Sequence, residues 1–146
     1  EDWDRIAIVR YATRKSFIDM QSRRDFADKH VHKAAGMQRT IIVCCRPEDA
    51  SVDAHGRPKT DDQRHVLMVV RRGTDPKTAS AQLQGSTNFA AEGTIIGDGR
   101  KWDTVQFVAV DSEAELDKLH ATTSASITGD SYVMAVRASM DSITQG

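Results

Sequence analysis

The chain has 146 residues, 39% of them hydrophobic and 28% charged, and its formal net charge is −1. Such a length makes one domain or two small ones sharing a core, and the near-neutral balance excludes nucleic acid as a bulk electrostatic partner. No apolar run approaches the roughly 18 residues that cross a bilayer, and no basic segment leads into an apolar stretch as a secretion signal does, so no membrane partner is expected within this chain.

From the beginning of the chain, RIAIVRY (5–11) is β-branched and compact after a turn-like DWD, which predicts a mostly buried strand. Thr13 can cap a helix whose apolar side is Phe17, Ile18 and Met20, and which can continue through SRRDFADKH before Gly36 ends the region. RTIIVCC (39–45) reads as a second strand that Pro47 helps to stop. Residues 1–46 are thus strand, helix, strand. Residues 47–64 are rich in Pro, Gly and Asp with scarcely an apolar side chain, and read as a polar linker.

HVLMVVRRG (65–73) opens a second section, 65–146, as a strand. Asp75-Pro76 is a helix-start signal, so a short helix is expected within 76–84, where Gly85 and the Ser/Thr content weaken its continuation. FAAEGTIIGDGRKWDTVQFVAVD reads as a long hairpin turning at GDGR (97–100), where glycines can supply positive φ. Ser112 and Glu115 form a Ser-x-x-Glu capping box at the head of the helix SEAELDKLHATT. SYVMAVRA (131–138) is the last strand.

Cys44 and Cys45 are adjacent in an apolar run. Neighbours on a strand point to opposite faces, so the two make a poor disulfide and a poor metal clamp, and buried thiols in a reducing, cytoplasmic setting are expected. Charge is uneven along the chain. Residues 1–46 hold ten Lys/Arg against six Asp/Glu, a balance of +4, while the remainder holds ten against fifteen, a balance of −5. Such asymmetry can help two copies or two halves dock.

The sequence also repeats itself faintly. A shift of 99 positions lays Trp3-Asp4 on Trp102-Asp103, Ile6 and Ile8 on Val105 and Phe107, Val9 on Val108, and Phe17 and Met20 on Leu116 and Leu119. The second section reads as strand, helix, strand, strand, helix, strand, the ferredoxin-like order, and the first supplies only its latter half. A lone strand-helix-strand cannot cover both faces of its strands, so its missing half is expected from an upstream segment or from a second copy of the chain.

WDRIAIVRYATRKSFIDM followed by HVHKAAGMQRTIIV resembles a branch of the dimeric α+β barrel superfamily, small uncharacterised bacterial proteins near the YCII-like and EthD-like groups. The resemblance rests on Arg10-Tyr11 at a strand end, on Thr13-Arg14-Lys15 at a helix start, and on His30, His32 and Lys33 before the last strand. It covers residues 3–45 closely and the second section in element order only. It implies an α+β fold of one and a half ferredoxin-like repeats, antiparallel sheets with helices on one face, closing as a homodimeric barrel with a cleft between helices and sheet. The superfamily contains monooxygenases, dehydratases and haem enzymes as well as members without known activity, so the fold alone fixes no reaction.

Within such a cleft, His30 or His32 oriented by Asp28 or Asp25 can move protons near neutral pH, and Arg10, Tyr11 or Arg14 can steady an anionic or enolic small molecule. Asp28 and His32 stand at i, i+4, which on a helix is also the spacing of a plain surface ion pair. HVH (30–32) could share a metal only on a strand, since on a helix its imidazoles diverge; no metal or cofactor is expected. Trp3 and Trp102 read as packing residues with Asp4 and Asp103 in turns. Arg23-Arg24 and Arg71-Arg72 lack interleaved aromatics and read as a solvated face. GDG (97–99) lacks the context of a dinucleotide fingerprint. The expected function is cofactor-independent acid–base or oxygen chemistry on a small molecule, against a non-catalytic binding or oligomerisation module.

Overall fold

The computed structural model describes residues 3–9, 11–23, 38–48, 65–127, 129 and 131–137. In chain order these contain α1 (Arg14–Gln21), β1 (Ile42–Pro47), β2 (His65–Arg71), α2 (Pro76–Gln82), β3 (Thr87–Ile96), β4 (Thr104–Val110), α3 (Glu113–Ser126) and β5 (Tyr132–Arg137). The protein is α+β, and the five strands among the described residues form one antiparallel sheet in the order β1-β3-β4-β2-β5. Because β2 and β3 both run against β4, they are parallel to each other with β4 between them. By the same logic β4 and β5 flank β2, so residues 65–137 are two interleaved strand-helix-strand units.

Each helix begins where a short polar side chain satisfies an amide that the helix itself cannot. Thr13 Oγ1 accepts from Ser16 N at 3.0 Å, Asp75 Oδ1 from Thr78 N at 3.0 Å, and Ser112 Oγ from Glu115 N at 3.2 Å. Glu115 reaches back to Asp111 N at 3.1 Å, one residue before the expected partner of a capping box. α2 has Pro76 in its first turn, where the missing N–H costs nothing. α1 ends at Gln21, with Ser22 as its C-cap; the expected continuation through SRRDFADKH lies almost wholly outside the described residues.

The sheet has two apolar faces. On one, Leu67, Val69, Val108 and Val133 pack against Leu83 after α2 and Leu116 of α3, with Leu119 and Ile127 at the margin. Burying each such side chain stabilises by about 1.5–3 kcal/mol. On the other, Val70, Val105 and Trp102 are buried, and Met68, Phe89, Phe107, Val43 and Cys45 around them are half-buried; among the described residues no member of this cluster belongs to a helix. Phe89 meets Phe107 edge-on at 5.9 Å, and Trp102 meets Tyr132 at 5.2 Å. β2, β4 and β5 therefore read as nearly unbroken apolar runs, as strands covered on both sides do.

β3 is long because it serves two partners, β4 through Thr87–Ala90 and β1 through Phe89–Ile96. Against β1 it carries two extra residues. Cys45 pairs with Ala91 and Cys44 with Gly93, which leaves Glu92 bulged; Val43 pairs with Thr94 and Ile42 with Ile96, which leaves Ile95 bulged. The expected long hairpin is short, since β3–β4 pairing ends at Ala90 with Thr104, and GDGR (97–100) is a bend in the connection beyond it, where the two glycines serve different ends. Gly99 sits at φ +92°, a left-handed conformation, whereas a Cβ on Gly97 would fall 2.5 Å from Thr94 Cγ2.

The first section departs from its expected pattern. Residues 5–9 form no strand, and Ile8 and Val9 are 54% and 61% exposed. Their counterparts under the repeat, Phe107 and Val108, lie half-buried and buried within β4. The second expected strand forms as Ile42–Pro47 rather than 39–45, because its ladder is set by β3. The expected linker, from residue 49 onward, is outside the described residues.

Candidate functional site

His30, His32, Asp28, Asp25 and Arg10 lie outside the described residues. Tyr11 and Arg14 can be placed. The Tyr11 hydroxyl donates to Met20 Sδ at 3.8 Å, and its ring stands edge-on to Phe17 at 5.0 Å, so the side chain folds against α1. Arg14 reaches across to the bulged Glu92, donating from Nη2 to Oε2 at 2.8 Å. Its guanidinium also lies beside Cys44, and these two partners, Glu92 first, raise its pKa above the ordinary arginine value.

The two cysteines are free and half-buried. Burial, with Cys44 and then Glu92 adding to it, pushes the Cys45 thiol up to about 12, so at neutral pH it is a protonated, inert packing group. Among the described residues no group of three or more His, Cys, Asp or Glu side chains could hold a metal ion. The cluster of Arg14, Glu92 and Cys44 ties α1 to the sheet at the site of the bulge. Trp3, expected as packing, is half-buried with Arg39 stacked 4.2 Å over its ring.

A second polar constellation lies under α2. Arg71, read from sequence as part of a solvated face, is only 4% exposed. The correction has a simple cause: Leu67, Val69 and Arg71 alternate along β2, so Arg71 points to the helix-covered face at the end of the strand. Its Nε donates to Gln106 Oε1 at 2.6 Å. Gln106 is itself fully buried on β4, and its Nε2 faces Asn88 Oδ1 at 2.7 Å, Ala79 O at 2.9 Å and Ser86 Oγ at 3.2 Å. Those contacts fix the amide with its oxygen toward Arg71. Thr104, directly across from Arg71, donates to Thr74 O at 2.7 Å and pins the loop into α2.

The acids near this end are engaged elsewhere. Asp103 accepts from Gly73 N, and Asp75 accepts from Thr78 N and Oγ1, bonds that hold the Asp75 carboxyl below its ordinary value. Among the described residues no carboxylate pairs with Arg71, and burial lowers its pKa. Arginine still remains charged at any physiological pH. The signal for this site was present in the sequence as the phase of Arg71 with Leu67 and Val69, hidden by its adjacency to Arg72. Comparison with protein families, with curated proteins and with solved structures finds no match to this chain.

Proposed function

We propose that the chain is a ferredoxin-like protein that works as a cytoplasmic homodimer of the α+β barrel kind and binds a small molecule in the cleft of each protomer. The interleaved order β2-α2-β3-β4-α3-β5 with neighbours β3-β4-β2-β5 supports the ferredoxin-like reading. The observation that carries the dimer is the second sheet face. Met68, Phe89 and Phe107 are half-buried there in a cluster to which no helix contributes among the described residues, on strands whose outward positions are as apolar as their inward ones. A sheet meant to face water on one side alternates apolar with polar residues; this one does not.

A second copy of the chain is the partner favoured by charge, since an isologous pairing brings the basic first section of one protomer toward the acidic remainder of the other. Among the described residues no helix is long and apolar enough to cross a membrane. In this reading His30 or His32, oriented by Asp28, is the acid–base group of the cleft, with Arg10, Tyr11 and Arg14 around the substrate. Arg14 would then act together with the Glu92 that holds it. Light scattering across a dilution series tests the assembly. Wild type is expected at twice the chain mass and Phe107→Asp at the chain mass with its fold retained. A wild-type protein that stays at the chain mass at every concentration sinks the proposal.

A further inference from the structure

We infer that Arg71 anchors a binding site for a small oxyanion, a carboxylate or a phosphate, at the end of the sheet where β2 runs into α2. The inference depends neither on the chemistry assigned to His30 and His32 nor on the dimer.

A guanidinium has five N–H donors, and an arginine buried for structural reasons commits them to carbonyls and carboxylates. Arg71 is 96% buried by its 4% exposure, yet among the described residues it commits one donor, Nε, to one neutral oxygen, Gln106 Oε1. Nothing negative compensates it there, because Asp103 and Asp75 are turned to the amides of Gly73 and Thr78. Removing an arginine charge from water without a counter-charge is costly, so an anion bound at the guanidinium would relieve that cost.

The terminal nitrogens of Arg71 are also uncommitted. The one fully buried side-chain nitrogen or oxygen without a partner among the described residues is Trp3 Nε1. The Nη atoms of Arg71 have no partner among the described residues either and are not fully closed off, in keeping with the 4% exposure of the residue.

The fork is held in place before any ligand arrives. Gln106 fixes Nε, and Gln106 is fixed in turn from three elements, by Ala79 of α2, Asn88 of β3 and Ser86 before it. A guanidinium held at Nε presents its outer edge as two parallel donors, the geometry that matches two oxygens of a carboxylate or phosphate. Preorganisation of this kind spares the ligand the entropy of ordering a long side chain.

The test titrates the whole wild-type chain with sodium phosphate and, separately, with sodium acetate. Ionic strength is held constant with sodium chloride, and melting temperature and the Arg71 Nε–H resonance are followed. At least one anion is expected to raise the melting temperature saturably, by roughly 9 °C at a hundredfold excess over its Kd, and to move the Arg71 resonance along the same curve. The anion that saturates at the lower concentration identifies the source. Arg71→Met should abolish the effect. Gln106→Glu, which sets an internal carboxylate beside Nε, should weaken binding at least tenfold, and it keeps the test decisive if Arg71→Met does not fold. No saturable response to either anion beyond chloride overturns the site. So does a still Arg71 resonance, or an unchanged response in either folded variant.

Discussion

Residues 65–137 and residues 3–23 carry matched patterns of apolar residues and come to different ends. In the later region Val105 pairs with Val70 on one side and Phe89 on the other, and Val108 pairs with Leu67 and is covered by Leu116 of α3. In the earlier one Ile8 and Val9 face outward, α1 has no buried residue, and Ile18 is 49% exposed. The same spacing of side chains is present in both. The difference is hydrogen bonding: β4 has β3 on one edge and β2 on the other, while residues 5–9 have no strand partner among the described residues. Apolar pattern decides which face a strand would bury, and the availability of edges decides whether it is a strand at all.

The sharpest test of this contrast compares one side chain from each region. Leu67→Ala, at 0% exposure, should cost about 2–5 kcal/mol in urea denaturation, whereas Ile18→Ala should stay within about 0.5 kcal/mol of wild type. Equal losses would erase the distinction.

Cys45 gives the next largest effect, and a pH signature. Its folded value of about 12 stands above the ordinary thiol value of about 8.5. The fold therefore favours the protonated thiol: this contribution is complete below the ordinary value and is lost as pH rises toward 12. The loss should be on the order of a few kcal/mol. Cys45→Ala should flatten the alkaline limb of a stability–pH curve; an unchanged limb would show that the thiol is not what burial makes it.

Helix caps divide the regions again at smaller scale. Ser112→Ala should lower global stability by about 1 kcal/mol, because α3 is packed on the core. Thr13→Ala should instead speed amide exchange within Arg14–Gln21 and leave the melting temperature alone, since α1 is not part of that core. Smallest of all, Glu92→Gln should shift the melting temperature slightly at low salt and not at all at high salt, as expected for a pair whose arginine is more than half exposed.

What was legible in the sequence was what local chemistry decides. Asp75-Pro76, Ser112 with Glu115, and Gly99 each act within a few residues of themselves, and α2, α3 and the bend at GDGR formed where those signals placed them. β2, β4 and β5 were legible as apolar runs. The strand at 5–11 and the start of β1 were misjudged because pairing joins distant segments, and no window of sequence contains it. Glu92 was invisible as a partner of Arg14 for the same reason: 78 residues separate them, and a bulge exposes the carboxylate. Arg71 was misread because an arginine beside another arginine suggests solvent, while its alternation with Leu67 and Val69 pointed inward.

The surplus pair on β3 also gives that strand slack. Loss of Glu92 alone would leave Ala91 opposite Cys45 and Gly93 opposite Cys44, merely straightening the ladder, and loss of Ile95 would do the same one step further on. Loss of one residue at Gln106, in a strand without spare positions, would turn Val108 away from Leu116 and send the rest of β4 to the wrong side. Tolerance of shortening is thus written into one edge of this sheet and denied to its centre.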